Sequence, residues 1–574
     1  MSRREDSRPG AGKGWIGPAL VIAVALGASL AGLLNEFAQD DIGIIRDNTR
    51  VHDPANWKAI LTSPYWPPPW HVELYRPLSS FLHALQYALG GGGPLVFRIT
   101  SYVLYAGASL AVLAVARTLL PRPYALGAAL LFAAHPVHVE AVAPAVGQSE
   151  LLVALAAGLM TAWYVRCRRL GNGSLTARDW SAIAVLYLAA SLAKEQGLLL
   201  PGMLLCAELF LLTWPGRRAA TRLAAGYAAL AVLALAVVLV RFRVLGGELA
   251  ANFPAEALEG LGVGGRALTM LQVVPHWARL LLWPAHLQAD YSPQEIVASS
   301  GLGPAELLGL ALLAGAGALG WLARKRAPVV SFGLAWMALA LLPVSNLLAI
   351  SGVVLAERTL FLPSVGFVLV VGAAAAALLE RIPPVRLLWR RAVMAVGVLA
   401  VAAGVARSAE RHRVWRTNDY FAVRSSADAP RSYRMQQAYA LVLFKLGYRD
   451  ESFGVYRAAI ALAPARHAWR VRIDLARRYW EAGENALALE QVMASRAAAP
   501  EEELPRQYQV IGYLALGRYA DAARQADSAM ARGITPQVFT PLRALADSAA
   551  RAGAPPGSIR VRVRTPSSSY PPLQ

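Results

Sequence analysis

Long apolar runs separated by short polar breaks fill the chain up to about Ala409, and then the pattern stops. Runs at 15–34, 95–118, 123–143, 150–166, 180–193, 196–214, 224–242, 303–323, 328–350, 359–379 and 390–408 predict helices, most of them of the length a bilayer demands. The count is about eleven spans. The first, "WIGPALVIAVALGASLAGLL", lacks a small-residue cleavage site and is followed by many more, so it reads as an uncleaved helix. Two stretches differ. From Pro77 to Gly90, Leu78, Phe81, Leu82, Leu85 and Leu89 share one helical face while Ser79, His83 and Gln86 face elsewhere, which predicts a helix lying in the interface. The stretch 267–284 carries Pro275, His276 and Arg279 mid-run and suits a re-entrant or surface helix.

Composition agrees. The 574 residues are 56% hydrophobic and 16% charged, with mean hydropathy +0.41, too apolar for a soluble chain of this size. The net charge of +20 would suggest nucleic acid on a soluble protein, but most of the arginines flank spans, so no nucleic-acid partner is expected. Cys167 and Cys206 lie in or beside spans and support neither a disulfide framework nor a cysteine metal site. With the N-terminus in the cytoplasm and the two exceptional helices outside, the basic loops at Arg166–Arg178, Arg217–Arg222, Arg324–Arg326 and Arg381–Arg391 all fall inside, as positive charge prefers. The expected order is a cytoplasmic tail over 1–14, then a membrane domain over 15–408 with outer loops 35–94 and 243–302.

Beyond 409 a repeat emerges. Gly447, Gly483 and Gly517 mark turns, and Pro464, Pro500 and Pro536 close the units "LGYRDESFGVYRAAIALAP", "AGENALALEQVMASRAAAP" and "LGRYADAARQADSAMARGITP". Each is a Gly turn followed by an Ala-rich amphipathic helix. They resemble tetratricopeptide repeats, helix pairs that bury a shared core only when stacked. The expected class is therefore all-α: a polytopic membrane bundle, then a repeat solenoid over 409–554 and a flexible tail over 555–574.

The groups that look chemical all land on the outer face. "NEFAQDDIG" puts Asp40 and Asp41 after the first span, where they are either solvated loop acids or a general base; pairing raises the pKa of one member. The same pair offers a place for a divalent cation, and no other metal site is expected. "HPVHVEAVAPAVGQSELL" carries His135, His138 and Glu140. The histidines share a helical face, but the spacing matches no standard zinc motif, so with Glu140 they read as a polar cluster for a phosphate or hydroxyl. Lys194–Glu195 sits between two apolar runs, where ionisable groups pair structurally or face a cavity. Glu357–Arg358 poses the same choice, with Asn346 nearby on the same face, and arginine is the better planar phosphate binder. Trp57, Trp66 and Trp70 suit an interfacial belt, though aromatic faces also stack on sugars. Carboxylates and cations meeting beside a membrane suit group transfer from a lipid phosphate.

The order of these motifs, an acidic pair, H-P-x-H-x-E, K-E, "LLPVSN" (341–346), "AERTLFLPS" (356–364) and then repeats, resembles the transmembrane-and-TPR O-mannosyltransferase (TMTC) family and its bacterial relatives, within the GT-C glycosyltransferases. "LLLWPAHLQADYS" (280–292) resembles that family's outer loop. The resemblance implies an enzyme that takes a sugar, mannose by family, from a polyprenyl-phosphate carrier on the non-cytoplasmic side with inversion. It implies Asp41 as base, with Asp40 second; His135, His138 and Glu140 shaping the donor site; Glu150, Glu195, Asn346 and Glu357 in the substrate set; and Lys194 and Arg358 on the lipid phosphate. The repeats would bind a protein or glycan acceptor, and high Ala, Gly and Arg content suggests a bacterial inner membrane with the repeats in the periplasm. Two positions depart from the family pattern: Gln148 stands where an arginine is common, and Phe361 where a tyrosine is usual. The competing readings are a non-catalytic anchored repeat scaffold and a polysaccharide ligase or polymerase using lipid pyrophosphate.

Overall fold

The computed structural model describes residues 14–68, 74–170, 173–248, 255–291, 294–383 and 385–559. Trp70, Ser292, the first thirteen residues and the end of the tail lie outside them. Helices run through the chain, and no strand occurs among the described residues. The chain divides into two compact units, Met1–Ala289 with Ala298–Asn418, and Asp290–Val297 with Asp419 onward.

In the first unit the helices are α1 (Ile16–Ser29), α2 (Trp57–Thr62), α3 (Pro77–Gly90), α4 (Pro94–Leu119), α5 (Arg122–Ala134), α6 (Val139–Val142), α7 (Gln148–Leu170), α8 (Ala177–Ala193), α9 (Leu200–Phe210), α10 (Arg217–Val244), α11 (Val263–Leu282), α12 (Pro304–Ala323), α13 (Pro328–Leu341), α14 (Phe361–Arg381) and α15 (Leu387–His412). Among the described residues six helices are long and apolar enough to cross a membrane: those spanning Pro94–Leu119, Ala145–Leu170, Arg217–Val244, Pro304–Ala323, Glu357–Arg381 and Leu387–Trp415. The chain is an integral membrane protein. The run expected at 123–143 breaks at Pro136, where α5 and the following short helices meet at 47°, because proline removes an intrahelical donor and clashes with the preceding turn. The run expected at 196–214 is a 3₁₀ turn, Glu195–Leu199, followed by the short α9. α11 is one helix running through Pro275.

α4 and α7 form the centre of the bundle together with α1, α5, α8, α9, α13 and α14, burying Phe132, Tyr164, Phe332, Trp336 and Phe361. α12 and α15 remain mostly exposed, leaving leucines such as Leu307, Leu308, Leu388 and Leu399 on the surface, as a helix facing lipid should. The helix α3 follows the same inverted logic. Its polar residues Ser79, His83 and Gln86 turn inward while Leu85 and Leu89 stay exposed. Ser79 Oγ donates to Ala193 O at 2.9 Å, and Gln86 exchanges two amide bonds with Gln148 at 2.8 and 2.9 Å.

The second unit is a series of helices α16 (Asn418–Asp428), α17 (Tyr433–Lys445), α18 (Arg449–Leu462), α19 (Ala468–Ala482), α20 (Asn485–Ala498), α21 (Glu503–Ala515), α22 (Tyr519–Ala531) and α23 (Pro536–Arg551). Neighbours from α17 to α23 pack against one another around Tyr456, Trp469, Leu475, Val492, Leu514 and Phe539. Gly447, Gly483 and Gly517 sit in the turns with φ of 91°, 90° and 72°, a conformation that glycine adopts without strain. Asp290 and Glu295 join this unit through Ser432 Oγ and Arg431 N, at 2.6 and 2.8 Å.

Candidate active site

A cavity of about 450 Å³ opens within the membrane unit. Segments far apart in sequence line it: Gln39–Asp40 after α1, Tyr65, Trp66 and Arg76 before α3, Glu140 on α6, Ser149 and Glu150 at the start of α7, Lys194–Gln196 after α8, Arg241 on α10, the 343–353 loop, and Arg358. Two glycines make this convergence possible. A Cβ on Gly197 would lie 2.3 Å from the Ala190 carbonyl carbon, and one on Gly147 would lie 2.2 Å from Ala141 O. Both contacts are with backbone, so only glycine lets Lys194–Gln196 fold back on α8 and lets α7 start beside α6.

The two aspartates part company. Gln39 takes φ +54°, an uncommon conformation for a residue with a side chain, and beyond it Asp40 lines the cavity. Asp41, expected first as the base, is 0% exposed and does not line the cavity. Its Oδ2 accepts from Arg98 Nη2 at 3.2 Å and Ala145 N at 3.0 Å, and its Oδ1 accepts from Val146 N at 3.0 Å. With both oxygens engaged, Asp41 ties the segment after α1 to the segment entering α7. Arg98 completes the tie, donating also to Asn35 O, Ala143 O and Glu36 O. Among the described residues no three His, Cys, Asp or Glu side chains gather where a metal could sit.

Acid–cation sets ring the cavity. Lys194 Nζ contacts Glu150, and Arg358 Nη1 contacts Glu140 while Arg358 N donates to its other oxygen at 3.0 Å. Glu195 accepts from Arg76 Nη2 at 2.9 Å and from Arg241 Nη1 at 2.8 Å. Burial pushes the Glu195 carboxyl up, but Arg76 and Arg241 outweigh it and hold its pKa down at about 2. Burial acts on the Lys194 ammonium in the other sense and lowers its pKa, against the opposing charge of Glu150. Buried ion pairs of this kind need excellent geometry to offset desolvation, so their gathering at a cavity points to a binding function more than to stability.

Asp40, Glu140, Glu150, Lys194, Glu195 and Arg358, all expected, thus come together. The remaining expected residues do not line the cavity, for identifiable reasons. His135 Nε2 bonds Leu281 O at 2.9 Å, and His138 bonds Tyr105 Oη at 3.1 Å and Ser364 Oγ at 2.8 Å. Both are buried core histidines, with Phe132 and Phe361 against His138. Glu357 accepts from Gln288 N at 2.5 Å and anchors the segment after α11. Asn346 has φ +55° and is fully buried. Its Oδ1 accepts from Ser351 N at 2.7 Å and its Nδ2 donates to Val353 O at 3.2 Å, so it shapes the cavity-lining loop without touching the cavity. Arg98 and Arg241 escaped the sequence reading although both sit inside apolar runs, where an ionisable residue is a functional signal. Arg76 and Gln196 carry no such mark; only folding brings them in.

Mouse protein O-mannosyl-transferase TMTC3 is 30% identical over 389 residues, covering 61% of this chain and 41% of that protein. Other similar proteins carry the same TMTC protein O-mannosyl-transferase name. The human TMTC3 protein is 28% identical over 61% of this chain and 41% of its own length, and Drosophila melanogaster Tmtc1 is 28% identical over 67% and 54%. The chain thus spans about half the length of the relatives it matches. No family model matches it. A crystal structure of the Archaeoglobus fulgidus oligosaccharyltransferase in complex with Zn and sulfate superposes with TM-score 0.39 at 14% identity, covering 69% of this chain and 53% of that one.

Proposed function

We propose that the chain is a membrane glycosyltransferase of GT-C type that moves a sugar, mannose by analogy with the names of its relatives, from a polyprenyl-phosphate carrier to a protein acceptor on the non-cytoplasmic face. An acceptor hydroxyl attacks the anomeric carbon and Asp40 accepts its proton. The bond from that carbon to the phosphate oxygen breaks, and the polyprenyl phosphate departs with the bonding electrons. Lys194 and Arg358 stabilise the charge on the departing group, with Arg358 as the planar fork. A single displacement of this kind inverts the anomeric centre. Glu140 and Glu150 hold the two cations in the cavity wall. The helix pairs after Asp419 act as tetratricopeptide-like units that present the acceptor, with the N-terminus in the cytoplasm.

The observation that supports this most is that Asp40, Lys194 and Arg358, remote in sequence, line one cavity. The test uses the purified full chain with polyprenyl-phosphate mannose and a polypeptide acceptor. Transfer should occur with wild type and vanish with Asp40→Asn while that variant stays folded. Transfer only from a lipid-pyrophosphate glycan would establish a ligase instead. Unchanged function with alanine at Asp40, Lys194 and Arg358 would leave a scaffold.

A further inference from the structure

Gln196 is 2% exposed and lines the cavity, yet neither its amide nitrogen nor its amide oxygen has a hydrogen-bond partner. The Tyr65 hydroxyl, on a residue 3% exposed and also lining the cavity, is unpartnered as well. Buried polar groups in native proteins are satisfied in the great majority of cases, and each exception calls for an explanation. Here two exceptions fall on the wall of one cavity. They differ in kind from the ionic groups beside them. Lys194, Arg358 and Arg76 already hold carboxylates, whereas Gln196 and Tyr65 are neutral. An amide offers donors and an acceptor side by side, and a phenol offers one of each. That combination complements hydroxyl groups, which donate and accept at once, whereas a phosphate, which at neutral pH chiefly accepts, would leave the amide oxygen unmet. Trp66, 4% exposed, lines the same cavity and supplies an apolar ring face of the sort that packs against the C–H face of a pyranose.

We infer that Gln196 and Tyr65, with Trp66 beside them in the cavity wall, form a subsite for the hydroxyl groups of the transferred hexose, separate from the cations that take the lipid phosphate. The inference rests on the proposed function and adds the residues that recognise the sugar itself. The turn carrying Gln196 is set by the tight approach of Gly197 to Ala190, so its place in the cavity wall is fixed by backbone packing.

The test compares binding of polyprenyl phosphate and of polyprenyl-phosphate mannose to the full chain in detergent. Wild type should prefer the mannose-bearing lipid. Gln196→Leu and Tyr65→Phe should each weaken that lipid by about tenfold, the loss expected from one or two hydrogen bonds, and leave the bare phosphate unchanged. Wild type binding both lipids equally, or variants losing both in parallel, overturns the subsite while leaving the lipid-phosphate reading intact. Wild type binding neither lipid overturns both. Tyr65→Phe removes a single oxygen, so it reports even if Gln196→Leu fails to fold.

Discussion

Asp41→Asn separates a structural aspartate from a reacting one. In the native chain Oδ2 serves Arg98 and Ala145 N while Oδ1 serves Val146 N. An asparagine must put an NH₂ group in place of one oxygen, which sets donor against donor and orphans at least one amide, at about 1–3 kcal/mol. It also removes the counter-charge of Arg98, which is 1% exposed; breaking a buried pair costs about 3–5 kcal/mol. The two costs overlap, and Arg98 keeps three backbone carbonyls, so the expected loss is about 3 kcal/mol, the lower end of that range. Asp40→Asn, on the cavity wall, should cost under about 1 kcal/mol while abolishing transfer. Unfolding in mixed detergent micelles measures both. A double-mutant cycle with Arg98→Met should return a coupling of about 1–3 kcal/mol. If Asp41→Asn is as stable as Asp40→Asn, and transfer survives in Asp40→Asn but not in Asp41→Asn, the roles assigned to the two aspartates are reversed.

Arg358→Lys keeps the charge and loses the planar fork; kcat/KM for the lipid-phosphate donor should fall about tenfold or more, and a normal value would remove Arg358 from the phosphate site. Asn346→Ala breaks the bonds to Ser351 and Val353 and puts alanine at φ +55°, so protease should nick the 345–353 loop faster; Asn346→Gly should recover about 1 kcal/mol of that loss, and equal nicking rates would refute the strain argument. Glu195 has its folded pKa held down at about 2 against roughly 4.3 when unfolded, so its ion pairs contribute stability above about pH 4.3 that fades as pH falls towards 2. Glu195→Gln should therefore be less stable than wild type at pH 7 and converge with it only below about pH 2, as unfolding at stepped pH would reveal. Gly197→Ala places a Cβ 2.3 Å from the Ala190 backbone, and a normal folded yield with intact donor binding would show that this turn can shift.

Hydrophobic periodicity alone announced the membrane helices and the change of character near Ala409, because span length and turn glycines are local properties written in consecutive residues. It also marked Asp40, Glu140, Lys194, Glu195 and Arg358, since ionisable groups near apolar runs are conspicuous, and the family resemblance added Glu150. What it could not order were the partnerships. Which of two adjacent aspartates meets the cavity depends on the backbone at Gln39 and on Arg98, fifty-seven residues away from Asp41. His135, His138 and Glu357 look chemical in one dimension, but the hydrogen bonds that occupy them come from Leu281, Ser364 and Gln288. Arg76, Gln196 and Tyr65 look ordinary in sequence and reach the cavity only because α3, the turn after α8 and the segment between α1 and α3 pack together. Helix formation depends on neighbours in the chain, whereas a binding site depends on which distant groups packing leaves satisfied or unsatisfied, and that is decided only in three dimensions.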